Sequence, residues 1–164
     1  TGLRLYPKWH NYTLCGPHCE ELLTAATDRG MVISIPLRVE DNRQRSWLLN
    51  VPDIPLAEIV GLVKAHPEAR FVLLNGAGYT GSPLGRKDSG LPANYVIELS
   101  RLSAVMANEL GRLIADLGAD RVVFGTGMPF NYPDPALLKL EVLDATEADK
   151  ERIRGRNAAQ WLRL

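Results

Sequence analysis

The sequence has 164 residues, of which 46% are hydrophobic and 23% charged, and its 19 lysines and arginines balance 19 aspartates and glutamates. A length near 150 residues suits one domain, and the even charge balance favours neither a disordered chain nor a nucleic-acid-binding protein. No apolar run reaches the roughly 20 residues that span a bilayer, and the first residues lack the apolar stretch of a signal peptide. We therefore expect a single-domain, cytoplasmic protein without a nucleic-acid or membrane partner. Because a strand-like run begins directly after Thr1, we also expect that upstream sequence is missing.

Strand-like and helix-like segments alternate along the chain. The strand segments are rich in β-branched and apolar residues, as is typical of strands buried on both faces of a parallel sheet. The predicted elements are, in chain order, a strand over 3–6, a helix over 17–29, a strand over 31–36, a helix between 55 and 67, strands over 71–74 and 95–99, a helix over 102–117, a strand over 121–125, and short helices that begin at 134 and 146.

The helix predictions rest on apolar residues at helical spacing and on residues that start or stop helices. Gly30 and Gly118 suit helix C-caps, Pro55 suits a first turn, and Thr146 suits an N-cap. The longest apolar stripe consists of Leu102, Val105, Met106, Leu110, Leu113, Ile114 and Leu117.

Strands that alternate with helices at this spacing predict parallel βαβ units with right-handed crossovers. The predicted fold class is therefore α/β. In such sheets and barrels, functional residues lie at the carboxyl ends of the strands.

Residues 75–94 break the alternation, because Gly, Ser and Pro recur and no apolar period survives. A structureless stretch of this length predicts a functional lid or a mobile insertion. Its first part, GAGYTG at 76–81, matches a dinucleotide-binding G-x-G-x-x-G pattern, but no amphipathic helix follows it. We therefore favour a flexible loop over a nucleotide site.

Cys15 and Cys19 flank His18, which raises the alternative of a zinc site. No second pair of ligands follows, as a structural zinc site requires. Cys19 instead falls on the apolar spacing of its helix with Leu22, Leu23 and Ala26, so we predict a small core residue.

The candidate site consists of polar residues that follow the predicted strands. They are His10, Asn11, Arg38, Glu40, Asp41, Arg43, Asn75, Ser100, Arg101, Thr126 and Asn131. If the loops bring them together, His10, Glu40 and Asp41 can form an acid/base pair or bind a divalent metal. The alternative is a solvated ion-pair cluster of Arg38, Glu40, Asp41 and Arg43.

Two arginines of this set suit anion binding, because a guanidinium can hold a carboxylate or phosphate through two parallel hydrogen bonds. They are Arg38 and Arg101, and we add Asn75, Thr126 and Asn131 as further candidates for substrate binding. His66 precedes Pro67 at a helix end on the opposite rim, so we predict no catalytic part for it.

With these strand ends aligned, the chain resembles the C-terminal portion of the amidohydrolase-related TIM-barrel hydrolases, a family that includes decarboxylases of the aminocarboxymuconate semialdehyde type. The segments that carry the resemblance are GLRLYPKWHNY at 2–12, DRGMVISIPLR at 28–38, HPEARFVLLNG at 66–76, DRVVFGTGMPF at 120–130 and IRGRNAAQWL at 153–162. Since such barrels need eight strands and about 250 residues, the resemblance implies an incomplete barrel of about five strands.

The resemblance also implies a divalent metal, usually zinc, but this sequence departs from the family at the ligand positions. Pro36 and Asn75 stand where the family has metal-binding histidines, and Gly127 stands where it has a catalytic aspartate. Proline and glycine side chains offer no ligand and asparagine is a weak one. No metal ligand is therefore assigned in this chain, and the family's H-x-H pair would precede Thr1.

The resemblance implies a hydrolase or related decarboxylase with a degenerate metal site, and the arginines suit a small carboxylate-bearing substrate. In this interpretation His10 is the acid/base, Glu40 or Asp41 its partner, and Arg38 and Arg101 hold the substrate. The alternative is a non-catalytic barrel used for ligand binding or assembly, which Pro36 and Gly127 favour. Because an unclosed parallel sheet has two open edges, we expect a homo-oligomer or pairing with a missing N-terminal half.

Overall fold

Five parallel strands form one sheet, in a computed structural model that describes residues 2–39, 41, 43, 46–129 and 131–164. Glu40 lies outside these described residues. The strand order follows the chain, and each strand pairs in parallel with the next. The strands are β1 (Gly2–Arg4), β2 (Val32–Pro36), β3 (Arg70–Leu74), β4 (Tyr95–Glu98) and β5 (Val122–Val123). The predicted parallel α/β sheet is confirmed.

The strand register separates the sheet into two faces. Ile33 lies opposite Phe71, and Phe71 lies opposite Tyr95, so these side chains share one face. All three are buried in the hydrophobic core. The next residue of each strand points the other way, because side chains alternate along a strand. Ser34, Val72 and Val96 consequently share the second face.

Six α-helices accompany the sheet in the part of the chain that the structure describes. They are α1 (Pro17–Asp28), α2 (Leu56–Ala65), α3 (Glu109–Leu117), α4 (Asp134–Val142), α5 (Glu147–Glu151) and α6 (Asn157–Leu162). In α1, Cys19, Leu23 and Ala26 are buried as predicted, whereas Leu22 is exposed. Gly30 follows α1 with φ of +63°, a left-handed conformation that glycine adopts without strain. No helix of the described residues is long and apolar enough to cross a membrane.

The helix predicted over 102–117 is shorter in the structure than the apolar stripe that predicted it. Helix α3 begins at Glu109, after Asn108 adopts φ of 44° and its side chain accepts a hydrogen bond from Gly111 N. Val105 and Met106 are 71% and 97% exposed, so their place in the stripe was wrong. The asparagine cap, and not the apolar spacing, therefore determines where the helix begins.

The C-terminal helical region is longer than predicted. A π-helical stretch, Arg152–Arg156, joins α5 to α6, so helical structure continues past Gly155 to Leu162. Thr146 caps its start, as predicted, by accepting a hydrogen bond from Asp149 N. The stretch flanks β5, because Phe124 N donates to Ile153 O over 3.0 Å.

Residues 75–94 do not form the predicted structureless lid. Two 3-10 turns, Tyr79–Gly81 and Pro83–Gly85, hold the first half, and the side chains of Tyr79 and Leu84 are completely buried. The hydroxyl of Tyr95 donates to Leu84 O over 2.8 Å. The Gly, Ser and Pro residues therefore form tight turns around two buried anchors.

The nucleotide-binding alternative for 76–81 also has no support in the geometry. A phosphate would need free backbone N–H groups in this turn. The N–H groups of Gly78 and Tyr79 instead donate to the Glu109 carboxylate, the latter over 3.1 Å.

Candidate functional site

The second face of the sheet borders a cavity of about 930 Å³. Alternate strand residues form its wall, including Arg4, Ser34, Pro36, Val72, Leu74, Val96 and Glu98. Residues from the loops after the strands line it as well, namely Tyr6, Trp9, His10, Arg38, Asn75, Thr126 and Gly127. The lining also includes Gly2 and Val32 at the amino ends of β1 and β2, so the cavity extends along the second face of the sheet to the carboxyl ends of all five strands.

The cavity brings together four of the residues that the sequence predicted for the site. His10, Arg38, Asn75 and Thr126 all line it, although they follow four different strands. The other predicted residues that the structure describes are not part of the lining, namely Asn11, Asp41, Arg43, Ser100, Arg101 and Asn131.

His10 lies in a turn after β1, where its N–H donates to Tyr6 O over 2.9 Å. Its ring lies at 6.1 Å from the Tyr6 ring and 6.4 Å from the Tyr12 ring, measured between centroids. The side chain is exposed at the mouth of the cavity. An accessible imidazole can exchange a proton with a bound molecule.

The Arg38 guanidinium is engaged by a carboxylate of the chain. Its Nε donates to Asp53 Oδ2 over 2.8 Å, and its Nη2 contacts the same oxygen. This hydrogen bonding raises the pKa of Arg38, so the group stays charged. The pair is only partly buried, at 28% and 38% side-chain exposure, so a bound anion can compete with Asp53 for the guanidinium.

Asp41 forms the centre of a second ion-pair group. Arg43 donates to it from both its backbone N–H and its guanidinium, and Arg101 Nη2 lies 3.3 Å from Asp41 Oδ2. The hydrogen bonds from Arg43 are the main reason that the pKa of Asp41 is well below its ordinary value of 3.8. The contact joins the loops after β2 and β4. Of the predicted ion-pair cluster, Asp41 and Arg43 pair with each other, whereas Arg38 pairs with Asp53 and Glu40 lies outside the described residues.

Glu98 is a member of the site that sequence reasoning missed. It is 5% exposed, ends β4, and lines the cavity. Ser100 N donates to its Oε1 over 2.7 Å, and the Ser100 hydroxyl and Asn75 N donate to its Oε2 over 2.7 and 3.3 Å. The available signal was a charged residue inside the apolar run YVIEL.

Gly125 provides the space for the Glu98 carboxylate. A Cβ atom on this glycine would collide with the Cγ, Cδ and Oε1 atoms of Glu98. Lys139 of α4 reaches the same region and donates a hydrogen bond to Ser100 O. Burial lowers the pKa of Lys139, although the nearby Glu98 charge opposes the shift.

Arg4 is a second missed residue, on the strand wall of the cavity. Its Nε donates to Ser34 Oγ over 3.2 Å, and no ion pair of Arg4 occurs within the described part of the chain. A charged residue inside the strand predicted over 3–6 was the available signal for it.

The residues at the mouth do not fit the zinc site that the family resemblance implies. Over 2–39, 41, 43, 46–129 and 131–164, no three His, Cys, Asp or Glu side chains converge as metal ligands would. Gly127 has φ of +72°, and the side chain of Asn131 fills the space that a Cβ at this position would need. The backbone at this strand end is therefore incompatible with the aspartate that the family places there.

The alternative zinc site at the cysteines is not formed by the described residues either. Cys19 is 4% exposed and belongs to the core, as predicted, whereas Cys15 is exposed. His66 contacts Glu20, with 3.1 Å between Nε2 and Oε2, away from the cavity lining.

A family model described as amidohydrolase matches residues 1–164. The chain belongs to this amidohydrolase family. No curated protein matches it. Its five parallel strands are a partial (β/α) barrel of the TIM type, and solved structures with this fold resemble it closely.

Three of these structures illustrate the likeness of the amidohydrolase chain to known barrels. The 2,6-dihydroxybenzoate decarboxylase from Rhizobium has 19% sequence identity and a TM-score of 0.66, over 93% of this chain and 57% of that one. The 5-carboxyvanillate decarboxylase from Sphingomonas paucimobilis has 18% sequence identity and a TM-score of 0.67, over 99% of this chain and 58% of that one. An uncharacterised TIM-barrel protein from Bordetella bronchiseptica has 16% sequence identity and a TM-score of 0.72, over 92% of this chain and 52% of that one. The chain thus spans little more than half the length of these structures.

Proposed function

We propose that the protein is a hydrolase or decarboxylase of the amidohydrolase type that binds a small carboxylate-bearing substrate in the cavity at the strand ends. The observation that carries this proposal is the lining of one cavity by His10, Arg38 and Glu98. An imidazole, a guanidinium and a buried carboxylate at one mouth can hold an anion and transfer a proton beside it.

In this proposal Arg38 anchors the substrate carboxylate. Its guanidinium already holds one carboxylate oxygen, that of Asp53, and lines the cavity. Arg101 supports the anchor indirectly, because its pairing with Asp41 holds the loops after β2 and β4 together. Replacement of Asp53 by a substrate carboxylate keeps the charge of Arg38 compensated.

His10 is the proposed proton donor or acceptor. In a decarboxylation, a proton adds to the carbon that carried the carboxylate, the carbon–carbon bond breaks, and carbon dioxide leaves. In a hydrolysis, the same imidazole would accept a proton from the attacking water. Exposure of His10 at the mouth allows it to recover its protonation state from solvent.

Aromatic carboxylic acids are the first substrates to test. Two of the similar structures are decarboxylases of 2,6-dihydroxybenzoate and 5-carboxyvanillate, which are molecules of this class. The cavity of about 930 Å³ falls in the range of small-molecule sites, and Tyr6 and Trp9 supply aromatic surface at its mouth.

A ligand-binding barrel without catalysis is the second candidate. The conformation of Gly127 and the packing of Asn131 favour it, because they leave no place for an acidic side chain at the end of β5. Binding of an aromatic acid without turnover would support this second function.

The test is to incubate the purified protein with a panel of aromatic acids, esters and lactones, and to measure carbon dioxide release and product formation. We expect turnover of at least one compound, and we expect His10→Ala to lower kcat by about 100-fold or more. His66→Ala is the matched control and should keep full activity, since His66 contacts Glu20 outside the cavity. Unchanged kinetics in His10→Ala would remove the proposed acid/base.

The anchor is tested by Arg38→Met, with the exposed Arg112→Met as control. We expect the dissociation constant of an aromatic acid to rise about tenfold in the first variant, because a bidentate charge-assisted contact is lost. The affinity of the Arg112→Met protein should match the wild type. Equal affinity in the Arg38→Met protein would show that another group holds the carboxylate.

A further inference from the structure

The guanidinium at the mouth of the cavity is held by a carboxylate that lies outside the cavity. Arg38 Nε donates to Asp53 Oδ2 over 2.8 Å, and Arg38 Nη2 contacts the same oxygen. Arg38 lines the cavity, whereas Asp53 is not part of the lining. Asp53 therefore occupies the cation that the proposed function gives to the ligand.

This contact is a weak form of the arginine–carboxylate pair. In the strong form, two parallel N–H groups donate to the two oxygens of one carboxylate. Here both bonds end on one oxygen, and the two side chains are 28% and 38% exposed. Because partly exposed ion pairs contribute little free energy, a ligand carboxylate that uses both of its oxygens can displace Asp53.

The backbone explains why Asp53 lies beside Arg38. Ile54 N donates to Leu37 O over 2.8 Å, so the chain returns to the end of β2 at this point. The neighbours of these two residues, Asp53 and Arg38, therefore stay close even when their side chains separate. Asp53 can consequently bind Arg38 again as soon as a ligand leaves.

The segment that ends at Asp53 packs loosely. In this return segment, residues 46–53, the side chains of Trp47 and Leu48 are 90% and 74% exposed. Two of its hydrogen bonds are local, from Leu49 N to Ser46 O and from Leu48 N to Ser46 Oγ. A segment with few buried apolar contacts opens at low cost. Loss of the Arg38 contact should therefore loosen the return segment.

We infer that Asp53 is an autoinhibitory residue that competes with the ligand for Arg38, and that ligand binding releases the return segment. This inference rests on the proposed function and adds a form of regulation to the same site. The apparent affinity for a ligand is lowered by the fraction of molecules in which Asp53 holds Arg38. Removal of the Asp53 charge should therefore tighten binding, whereas loss of Arg38 itself weakens it.

The first test compares dissociation constants of benzoate, measured by titration calorimetry on the purified protein. We expect Asp53→Asn to lower the dissociation constant about threefold, as the modest strength of a partly exposed ion pair implies. Asp53→Glu keeps the competing charge and should stay near the wild type. Asp116→Asn removes an exposed aspartate of α3 and should also match the wild type.

The second test measures the motion of the return segment. The nitrogen–proton Overhauser effect of the backbone amides of Leu48, Leu49 and Asn50 reports fast motion in the isotope-labelled protein. Without ligand, this effect should be smaller in Asp53→Asn than in the wild type, and saturating benzoate should lower it in the wild type. Asp116→Asn should leave it unchanged. A general change in electrostatic potential would tighten binding without this motion.

The outcomes separate this inference from the proposed function. If the wild type binds benzoate but Asp53→Asn binds it no tighter, or keeps the return segment as rigid, the competition is overturned and the proposed function stands. An equal gain in Asp116→Asn would also overturn the competition, because it would show a general effect of charge. If benzoate binds neither the wild type nor Asp53→Asn, the proposed function fails and the autoinhibition fails with it.

Discussion

The side-chain amide of Asn131 occupies the space that a Cβ atom on Gly127 would need, and Asn131 N donates to Gly127 O over 3.2 Å. With φ of +72° at Gly127, the backbone and the packing both exclude a larger residue here. The left-handed backbone and the packing of Asn131 thus both favour glycine at position 127.

Gly127→Asp should therefore fail to restore a metal site. We expect a loss of about 1–3 kcal/mol in unfolding free energy, from left-handed strain and from the clash with Asn131. Urea unfolding measures the loss, and elemental analysis after incubation with zinc measures metal uptake. Stoichiometric zinc in a variant of unchanged stability would contradict this prediction.

Gly125→Ala tests the space reserved for the Glu98 carboxylate. The added methyl group collides with Glu98, so we expect a loss of about 1–3 kcal/mol in unfolding free energy. Gly61→Ala is the matched control, because nothing lies within 4 Å of a Cβ at this position inside α2. The control should gain about 0.5–1 kcal/mol, since alanine favours a helix. Equal stability of the two variants would argue against the packing described for Glu98.

The hydroxyl of Tyr79 is buried without a hydrogen-bond partner among the described residues, whereas that of Tyr95 donates to Leu84 O. Tyr79→Phe should therefore raise the unfolding free energy or leave it unchanged, and Tyr95→Phe should lower it by about 1 kcal/mol. Thermal and urea unfolding of both variants compare the two hydroxyls. A larger loss in Tyr79→Phe would reveal a partner for its hydroxyl.

The buried hydroxyl of Tyr79 also predicts that the stability of the protein depends on pH in the alkaline range. Burial, with the charges of Glu98 and Glu109, raises the pKa of Tyr79 above its ordinary value of 10.0. Above that pH the unfolded chain releases the Tyr79 hydroxyl proton, whereas the folded protein keeps it. The free energy of unfolding of the wild type therefore falls as pH rises. The advantage of Tyr79→Phe over the wild type should therefore grow between about pH 9 and 11.

Strand β1 pairs only with β2 in the described residues, while the far side of β5 contacts the C-terminal helical stretch. An open strand edge favours pairing with further chain. We propose that residues 1–164 on their own form a dimer or larger species, or have low solubility, and that an N-terminal part of the protein covers the edge. Sedimentation at micromolar concentration tests this, and a monodisperse monomer would contradict it.

The order and direction of the strands could be predicted from the sequence because the apolar runs and helical stripes are periodic. The start of α3 could not be predicted, because the Asn108 cap sets the first turn of the helix. The apolar pattern extends upstream of this cap through Val105 and Met106, which are not helical. The turns of residues 75–94 escaped prediction for a similar reason. Their order depends on the burial of Tyr79 and Leu84, which composition does not reveal.

The site could be predicted in part. The rule that strand ends meet at one edge identified His10, Arg38, Asn75 and Thr126, which line the cavity. It missed Glu98 and Arg4, because both lie inside the predicted strands over 95–99 and 3–6, although each is the last residue of its strand in the structure. Whether an ionisable strand residue faces a cavity depends on the strand register, and the register is a property of the whole sheet.

We propose that the polar residues that follow the strands form a single binding site at the carboxyl ends of the sheet. Titration of the isotope-labelled protein with hydroxybenzoate, followed by backbone nitrogen–proton shifts, tests it most directly. We expect the shifts to concentrate at Arg38, Asn75, Ser100 and Thr126. Shifts that cluster at Gly30 and Ala69, at the opposite ends of the strands, or an absence of shifts throughout, would contradict it.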